Sequence, residues 1–524
     1  MDPFNSLRGI VRYARELRRF LRHPLSSQPC RSAITHRLRA RNENFLHTLD
    51  TCVYGNPRSP YLRLLNLAGV QFSDVVEWVR RSGVEGTLAR LHDEGVYVTR
   101  DEFRGRQPIV RGNRELPVQV EDFDNPLASK DYEVWTTGSR SVRTEVMSFA
   151  LVEHDTAYQA IFLDDFQLWD RPMAVWRPVP PGTAGLKIVL AHMKLGNPIA
   201  KWFSQNLITW RQERFVASIY ASRLFGRALP LPVHVPLQLA SQIAGWLAEQ
   251  RAQGTPAWLD TNASSAVRVC LAAREQGVDI SGTFFRLGGE PYTPAKAKVI
   301  ADSRSRAVIP YAMSELDWIG IACAAPLDVD DVHLLTDKLA AIQQPKELGI
   351  SGLTVGALFL TSLVSLTPKV MLNFETDDYA VVEERACGCA LGQLGFYTHL
   401  RQIRSYAKLT SEGMSFVGGE LIALIEEVLP ARFGGQATDY QLVEEEENGL
   451  PRISVVISPR VGSVDDELLV HTVLTYLSGQ HQARQMAADR WREAHTLRVM
   501  RREPYATGTA KTLPLHVLRN EPPP

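Results

Sequence analysis

The chain has 524 residues, more than one hydrophobic core normally supports, so two or more domains are expected. Hydrophobic residues make up 45% and charged residues 22%, as in soluble globular proteins, and a formal net charge of zero offers no bulk attraction to nucleic acid. Six cysteines are too few for a disulfide framework at this length, and with no secretory signal the chain reads as cytoplasmic.

The N-terminal stretch "LRGIVRYARELRRFLRH" reads as an amphipathic helix with an arginine face. That face is either solvated or meets a membrane surface or an acidic partner. "SPYLRLLNLAG", "SDVVEWVRRSG" and "VEGTLARLHDEG" follow as short amphipathic segments that stop near glycines. "YQAIFLDDF" and "LKIVLAHM" have the apolar, β-branched and aromatic content of strands. "VPLQLASQIAGWLAEQRAQG" predicts a helix closed by Gly254; "SSAVRVCLAAREQG" predicts another, and "SGTFFRLGGEP" a strand entering a Gly-Gly turn. Strands alternating with helices predict an α/β core with a largely parallel sheet. "GISGLTVGALFLTSLVSLT" (349–367) carries no charge and approaches membrane-spanning length, but its Gly, Ser and Thr content and Pro368 favour two buried strands joined by a turn. Beyond residue 404 the pattern changes to a helix ("ELIALIEEVL"), a hairpin turning at Asn448-Gly449, helices from Asp465 to His495 and a strand in "TLRVMRR". The expected organisation is a helical region over 1–125, an α/β core over 126–403 and a small α+β domain over 404–524.

"TTGSRSVRT" (Thr136 to Thr144) sets a glycine among hydroxyl residues, a composition that can curl N–H and O–H groups around phosphate oxygens or simply turn a corner. The Walker pattern is absent. "GGEPYT" (Gly288 to Thr293) ends a strand, and "YAMSE" (Tyr311 to Glu315) follows after an intervening helix. "NFETDDYA" puts acids directly after an apolar run, "RSYAKLTSEG" opens the small domain, and "ATGTAKTLPL" lies near the C-terminus.

In this order the motifs resemble the adenylate-forming superfamily of acyl-CoA synthetases, luciferases and peptide-synthetase adenylation domains, and within it the phenylacetate–CoA ligase-like branch. The resemblance runs from about residue 125 to 515 and implies a large N-terminal domain of helix-flanked β-sheets with a small, mobile α+β C-terminal domain. It assigns Thr136, Thr137, Gly138 and Ser139 to the ATP β- and γ-phosphates, and Gly288, Gly289, Glu290 and Pro291 to the turn lining the base. Tyr311 would stack near adenine, Ser314 would reach the α-phosphate and Glu315 would ligate Mg²⁺. Asp378 matches the aspartate on both ribose hydroxyls, and Arg404 the hinge arginine that also reaches the ribose. Gly413 matches the glycine beside the pantetheine tunnel, and Lys511 the lysine that bridges substrate carboxylate and α-phosphate.

The chemistry requires such residues. A carboxylate attacking phosphorus brings two anions together, which a metal on Glu315 and the Lys511 ammonium would offset. Asp378 can accept two hydroxyls at once, and a lysine on a mobile domain can withdraw to admit a thiol. The chain also departs from the family pattern. Ser141 and Val142 stand where a second glycine and a lysine are usual, with Arg143 as a substitute charge; Ala312 replaces a glycine, and the acidic hinge position falls nearest Tyr406 or Ala407.

"ACGCA" holds Cys387 and Cys389, and "IACAAPLDVDDVH" holds Cys323 and His333. Related ligases carry a cysteine/histidine cluster in these regions, which would suit tetrahedral structural Zn²⁺; otherwise Cys323 is a small buried hydrophobe and His333 a satisfied strand residue. The implied activity joins a small carboxylic acid, of aryl or arylacetic type by branch, to ATP, giving an acyl-adenylate that passes to coenzyme A. Transfer to a carrier-protein thiol or an amine is the variant of this reading. A nucleotide-binding scaffold that has lost catalysis is the rival.

Overall fold

A computed structural model describes residues 7–129, 132–135, 144–179, 183–205, 222–223, 229–347, 354–405, 408–411, 414–417, 424–435, 439–447, 450–478, 482–505 and 515–517. Two small antiparallel ribbons come first, β1 (Ile109–Arg111) with β2 (Arg114–Leu116) and β3 (Tyr132–Trp135) with β4 (Thr144–Met147). A parallel sheet follows, built from β5 (Met173–Trp176), β6 (Lys201–Ser204), β7 (Pro232–His234), β8 (Trp258–Asp260), β9 (Phe284–Arg286) and β10 (Arg306–Val308). Its spatial order is β10-β9-β8-β5-β6-β7. The chain therefore builds outward from β5 in one direction, then returns to β8 and builds in the other.

Both faces of this sheet are buried, and the strand alternation shows it. Met173 and Val175 of β5 face one core with Trp202, Trp258 and Phe284, while Ala174 and Trp176 face the other with Leu259 and Phe285. The first core is covered by helices Leu7–Leu21, Ser27–Arg39, Phe149–Asp165 and Thr183–Lys194, the second by Ala240–Ala252, Ala263–Gln276 and Pro294–Asp302. The basic N-terminal helix turns Leu17, Phe20 and Leu21 inward, and Phe20 stacks on Phe149 at 5.2 Å.

Two predicted strands are helical. "YQAIFLDDF" lies in helix Phe149–Asp165, where every residue from His154 to Leu163 is buried. A helix enclosed on all sides has no polar stripe, so its sequence loses the 3.6-residue signature. "LKIVLAHM" lies in Thr183–Lys194, the crossover that parallel strands β5 and β6 require.

A seven-stranded sheet continues the chain: β11 (Tyr311–Met313), β12 (Asp317–Ala322), β13 (Val332–Leu334), β14 (Leu339–Glu347), β15 (Thr354–Ser362), β16 (Phe374–Glu384) and β17 (Thr398–Ser405). It packs on helices Arg41–Leu49 and Phe72–Asp93; the latter breaks at Gly83, whose φ is 70°. The described part of the uncharged run, 354–367, contributes a single strand, β15, held between β14 and β16, where two were expected across 349–367. Among the described residues no helix is long and apolar enough to cross a membrane.

β18 (Lys408–Ser411) and β19 (Met414–Val417) form another ribbon. The last sheet, ordered β22-β21-β20-β23, joins β20 (Tyr440–Glu447), β21 (Leu450–Ile457), β22 (Leu497–Arg501) and β23 (Leu515–Val517). Its own core includes Leu442, Ile453 and Val455 from the strands. Val473 and Leu474 of helix Asp466–Ser478 and Trp491 of helix Gln482–Glu493 pack against them.

Candidate functional site

In an open parallel sheet, ligands bind beyond the carboxyl ends of the strands where the winding direction reverses. Here that point lies between β5 and β8. Arg177 leaves the end of β5, buried at 6% exposure, and its Nε donates to Asp260 Oδ1 at 2.7 Å. Arg286 donates to the other Asp260 oxygen at 2.5 Å, so one carboxylate sits between two buried guanidiniums. Burial alone would raise the Asp260 pKa; the two arginines outweigh it and hold the carboxyl below its ordinary value. The remaining Arg177 nitrogens donate to Asn262 Oδ1 and the Thr261 carbonyl at 2.5 and 2.7 Å.

That arginine accounts for the Gly-Gly turn. A Cβ at Gly288 would stand 3.0 Å from Arg177 Nη2, and Gly289 has a φ of 80°, where glycine is favoured. Glu290 then reaches back to accept from the Ser264 N–H at 2.8 Å and its hydroxyl at 2.5 Å. Ser264 lies at the N-terminus of helix Ala263–Gln276, where a carboxylate is stabilised by unpaired N–H groups. Pro291 is half-buried beside it. Glu290 is thus committed to anchoring the turn.

A second cluster of predicted site residues is built on a β-bulge. In β16 the partners of β15 pass from Glu375 opposite Phe359 to Tyr379 opposite Ala357, leaving Thr376, Asp377 and Asp378 against Leu358. Asp377 has a φ of 64°, and the Thr376 hydroxyl accepts from the Asp378 N–H at 3.1 Å. Bulges of this kind re-aim side chains. The Asp378 carboxylate receives the Tyr311 hydroxyl at 2.7 Å.

Two arginines that sequence reasoning missed close this corner. Arg100 opens the short helix Arg100–Phe103 and Arg104 follows its last residue; a Thr99/Glu102 capping box fixes the helix start. Arg100 donates to the Thr376 carbonyl at 2.8 Å and lies 3.6 Å from Asp377. Burial works against its charge, yet Glu315, Asp377, Asp378 and Tyr311 raise its pKa. Arg104 pairs with the buried Glu315 at 2.5 Å. Tyr311, Glu315 and Asp378 therefore lie around Arg100, and Glu315 is also paired with Arg104. Ser314 is half-buried in the turn between β11 and β12.

Arg404 is placed differently. It pairs across strands with Tyr379, one residue on from Asp378, and donates to Asp330 at 2.8 Å. Strand alternation puts its side chain on the opposite face from that of Asp378. Thr136, Thr137, Gly138, Ser139, Gly413 and Lys511 lie outside the described residues, as do Arg143, Tyr406 and Ala407.

The cysteine/histidine residues converge. His333 Nε2 lies 3.0 Å from Cys389 Sγ and 3.4 Å from Cys387 Sγ, and the two sulfurs are 3.2 Å apart. That is well beyond the about 2.05 Å of a disulfide and near the about 3.5–3.8 Å edges of a ZnS₃N tetrahedron. All six cysteines are free. Cys323 completes the set: its hydrogen bond holds the Cys389 thiol well below its ordinary value, while Cys323 itself is raised. His333 Nδ1 donates to the Phe396 carbonyl at 2.8 Å, which leaves the Nε2 lone pair facing the sulfurs. Backbone N–H groups of Ala325 and Gly392 point at Cys323 and Cys389 Sγ at 3.3 and 3.4 Å. Three thiols, one oriented imidazole and N–H donors to sulfur fit a tetrahedral divalent ion.

No family profile matches the sequence, and no curated protein does. Among solved structures the chain is similar to a 2-hydroxyisobutyryl-CoA ligase in complex with 2-HIB-AMP and CoA in the thioesterification state. The TM-score is 0.54 at 14% identity, covering 95% of this chain and 91% of that one. An amide bond synthetase, McbA from Marinactinospora thermotolerans, is similar at a TM-score of 0.43 and 11% identity, covering 96% of this chain and 98% of that one. The chain has the fold of the adenylate-forming enzymes, with a larger N-terminal and a smaller C-terminal part.

Proposed function

We propose that this chain is an acid–thiol ligase that makes an acyl-adenylate from a carboxylic acid and ATP and then passes the acyl group to coenzyme A. The observation that supports it best is the meeting of Tyr311, Glu315 and Asp378 around Arg100, in a chain whose parallel sheet reverses its winding between β5 and β8. Asp378, held by Tyr311, is suited to accept the ribose hydroxyls. The Gly288–Pro291 turn, fixed by Arg177 and Glu290, would flank the base, and Ser314 would approach the α-phosphate. Glu315 would hold Mg²⁺, which supplies charge stabilisation at the α-phosphate when bound. To do so Glu315 must exchange Arg104 for the metal. Thr136 to Ser139 would hold the outer phosphates, Lys511 would join carboxylate to phosphate, and Gly413 would border the thiol path. Residues 404–524 would move as a lid, with Arg404 at the hinge. The acid is expected to be aryl or arylacetic, and the free thiols suit a cytoplasmic location. The thiol cluster Cys323, His333, Cys387 and Cys389 would hold structural Zn²⁺.

The test is pyrophosphate release from MgATP across a panel of aliphatic, aryl and arylacetic acids, followed by coenzyme A addition. Acid-dependent release and a thioester are expected. ATP binding with no release for any acid would instead identify a non-catalytic nucleotide-binding protein.

A further inference from the structure

The thiol cluster has one donor more than a tetrahedral ion needs. His399 of β17 is paired directly with His333 of β13, so both imidazoles leave the sheet on one face, with ring centroids 4.1 Å apart. His399 is fully buried, and its Nδ1 lies 2.7 Å from Asp331 Oδ1. A carboxylate only accepts, so Nδ1 carries the proton and Nε2 the lone pair. Arg385 Nη2 also lies 3.0 Å from that Nδ1, but it is itself a donor and its acceptor is the same Asp331 carboxylate. Nε2 is buried with no hydrogen-bond partner among the described residues. An imidazole oriented by a carboxylate through one nitrogen, with the other bare and buried, is how zinc-bound histidines are held.

The donor atoms of Cys323, His333, Cys387 and His399 lie within 4.8 Å of one another. Two four-donor sets therefore share Cys323, His333 and Cys387, and differ in whether Cys389 or His399 completes them. Replacing a thiolate by a neutral imidazole takes the buried centre from one net negative charge to neutral, which burial favours.

We infer that His399 is a second imidazole ligand of this metal centre, poised to replace Cys389, so that the ion is retained when the Cys389 thiolate is lost. This rests on the metal reading proposed above. Full-length wild type, Cys389→Ser, His399→Gln and the double variant are loaded with Zn²⁺ or Co²⁺ and passed over a weak chelator. Metal content and thiolate-to-cobalt charge-transfer absorbance are then read.

Wild type and His399→Gln should keep one equivalent with equal absorbance. Cys389→Ser should keep its ion with absorbance lowered by about a third, as one of three thiolates is gone. The double variant should bind at least about 100-fold more weakly than Cys389→Ser, beyond the range of an outer-shell change. Equal retention by Cys389→Ser and the double variant overturns the inference, as does loss of metal or of folding in Cys389→Ser alone. Wild type holding under about half an equivalent overturns the metal reading itself, and the inference with it.

Discussion

Substituting Asp260→Asn isolates the charge on which the switch point is built. The carboxylate is 2% exposed and holds Arg177 through one oxygen and Arg286 through the other, at 2.7 and 2.5 Å. An amide of the same shape leaves two buried guanidiniums without their shared counter-charge. Removing one partner from a buried ionic group costs about 3–5 kcal/mol, a factor of about 100 to a few thousand in the folding equilibrium. In urea unfolding followed by tryptophan fluorescence, the midpoint should fall with little change in slope. The loss should also depend on pH in a defined sense. Because the folded pKa of Asp260 is depressed, its contribution is present above the ordinary carboxylate range and disappears as pH falls through the lowered folded value. The gap between wild type and variant should therefore narrow in acid. A loss under about 1 kcal/mol at neutral pH, the scale of an exposed pair, would refute the reasoning.

Asp378→Ala should raise the apparent KM for ATP by about 10- to 100-fold, the range of one charged hydrogen bond, in initial-rate assays. Arg104→Gln removes one cation from the Glu315 carboxylate, so half-saturation by Mg²⁺ should fall by about tenfold in a metal titration, equivalent to about 1.4 kcal/mol; an unchanged requirement would separate Glu315 from the metal. Stripping the thiol cluster with a chelator should lower the thermal midpoint, and Zn²⁺ at about 1,000 times its Kd should restore about 4 kcal/mol. No chelator effect would leave the cluster without a structural ion.

The sequence showed most where local chemistry decides structure. The breaks at Gly83 and Gly277 stop helices as their positions suggested, with φ of 70° and 67°, and β20 and β21 pair in the expected hairpin from Glu447 opposite Leu450. The Cys-x-Cys pair and the distant Cys323 and His333 do converge. Helix Phe149–Asp165 was hidden because burial on every side erased its amphipathic pattern. Arg100 and Arg104 were hidden for another reason: Arg104 and Glu315 are 211 residues apart, and nothing in a local window marks an arginine that serves a remote carboxylate. Arg177 gave a weak signal, a charge directly after the fully buried strand β5. The face that Arg404 takes was equally out of reach, since it depends on the register that pairs it with Tyr379 and not with Asp378.

Exchange of labelled pyrophosphate into ATP measures the adenylation half-reaction directly, without a thiol acceptor or lid rotation. We expect exchange only when a suitable carboxylic acid is present, and its loss in Lys511→Ala. Exchange that ignores the acid, or that persists unchanged without the Lys511 ammonium, would contradict acid activation at this site.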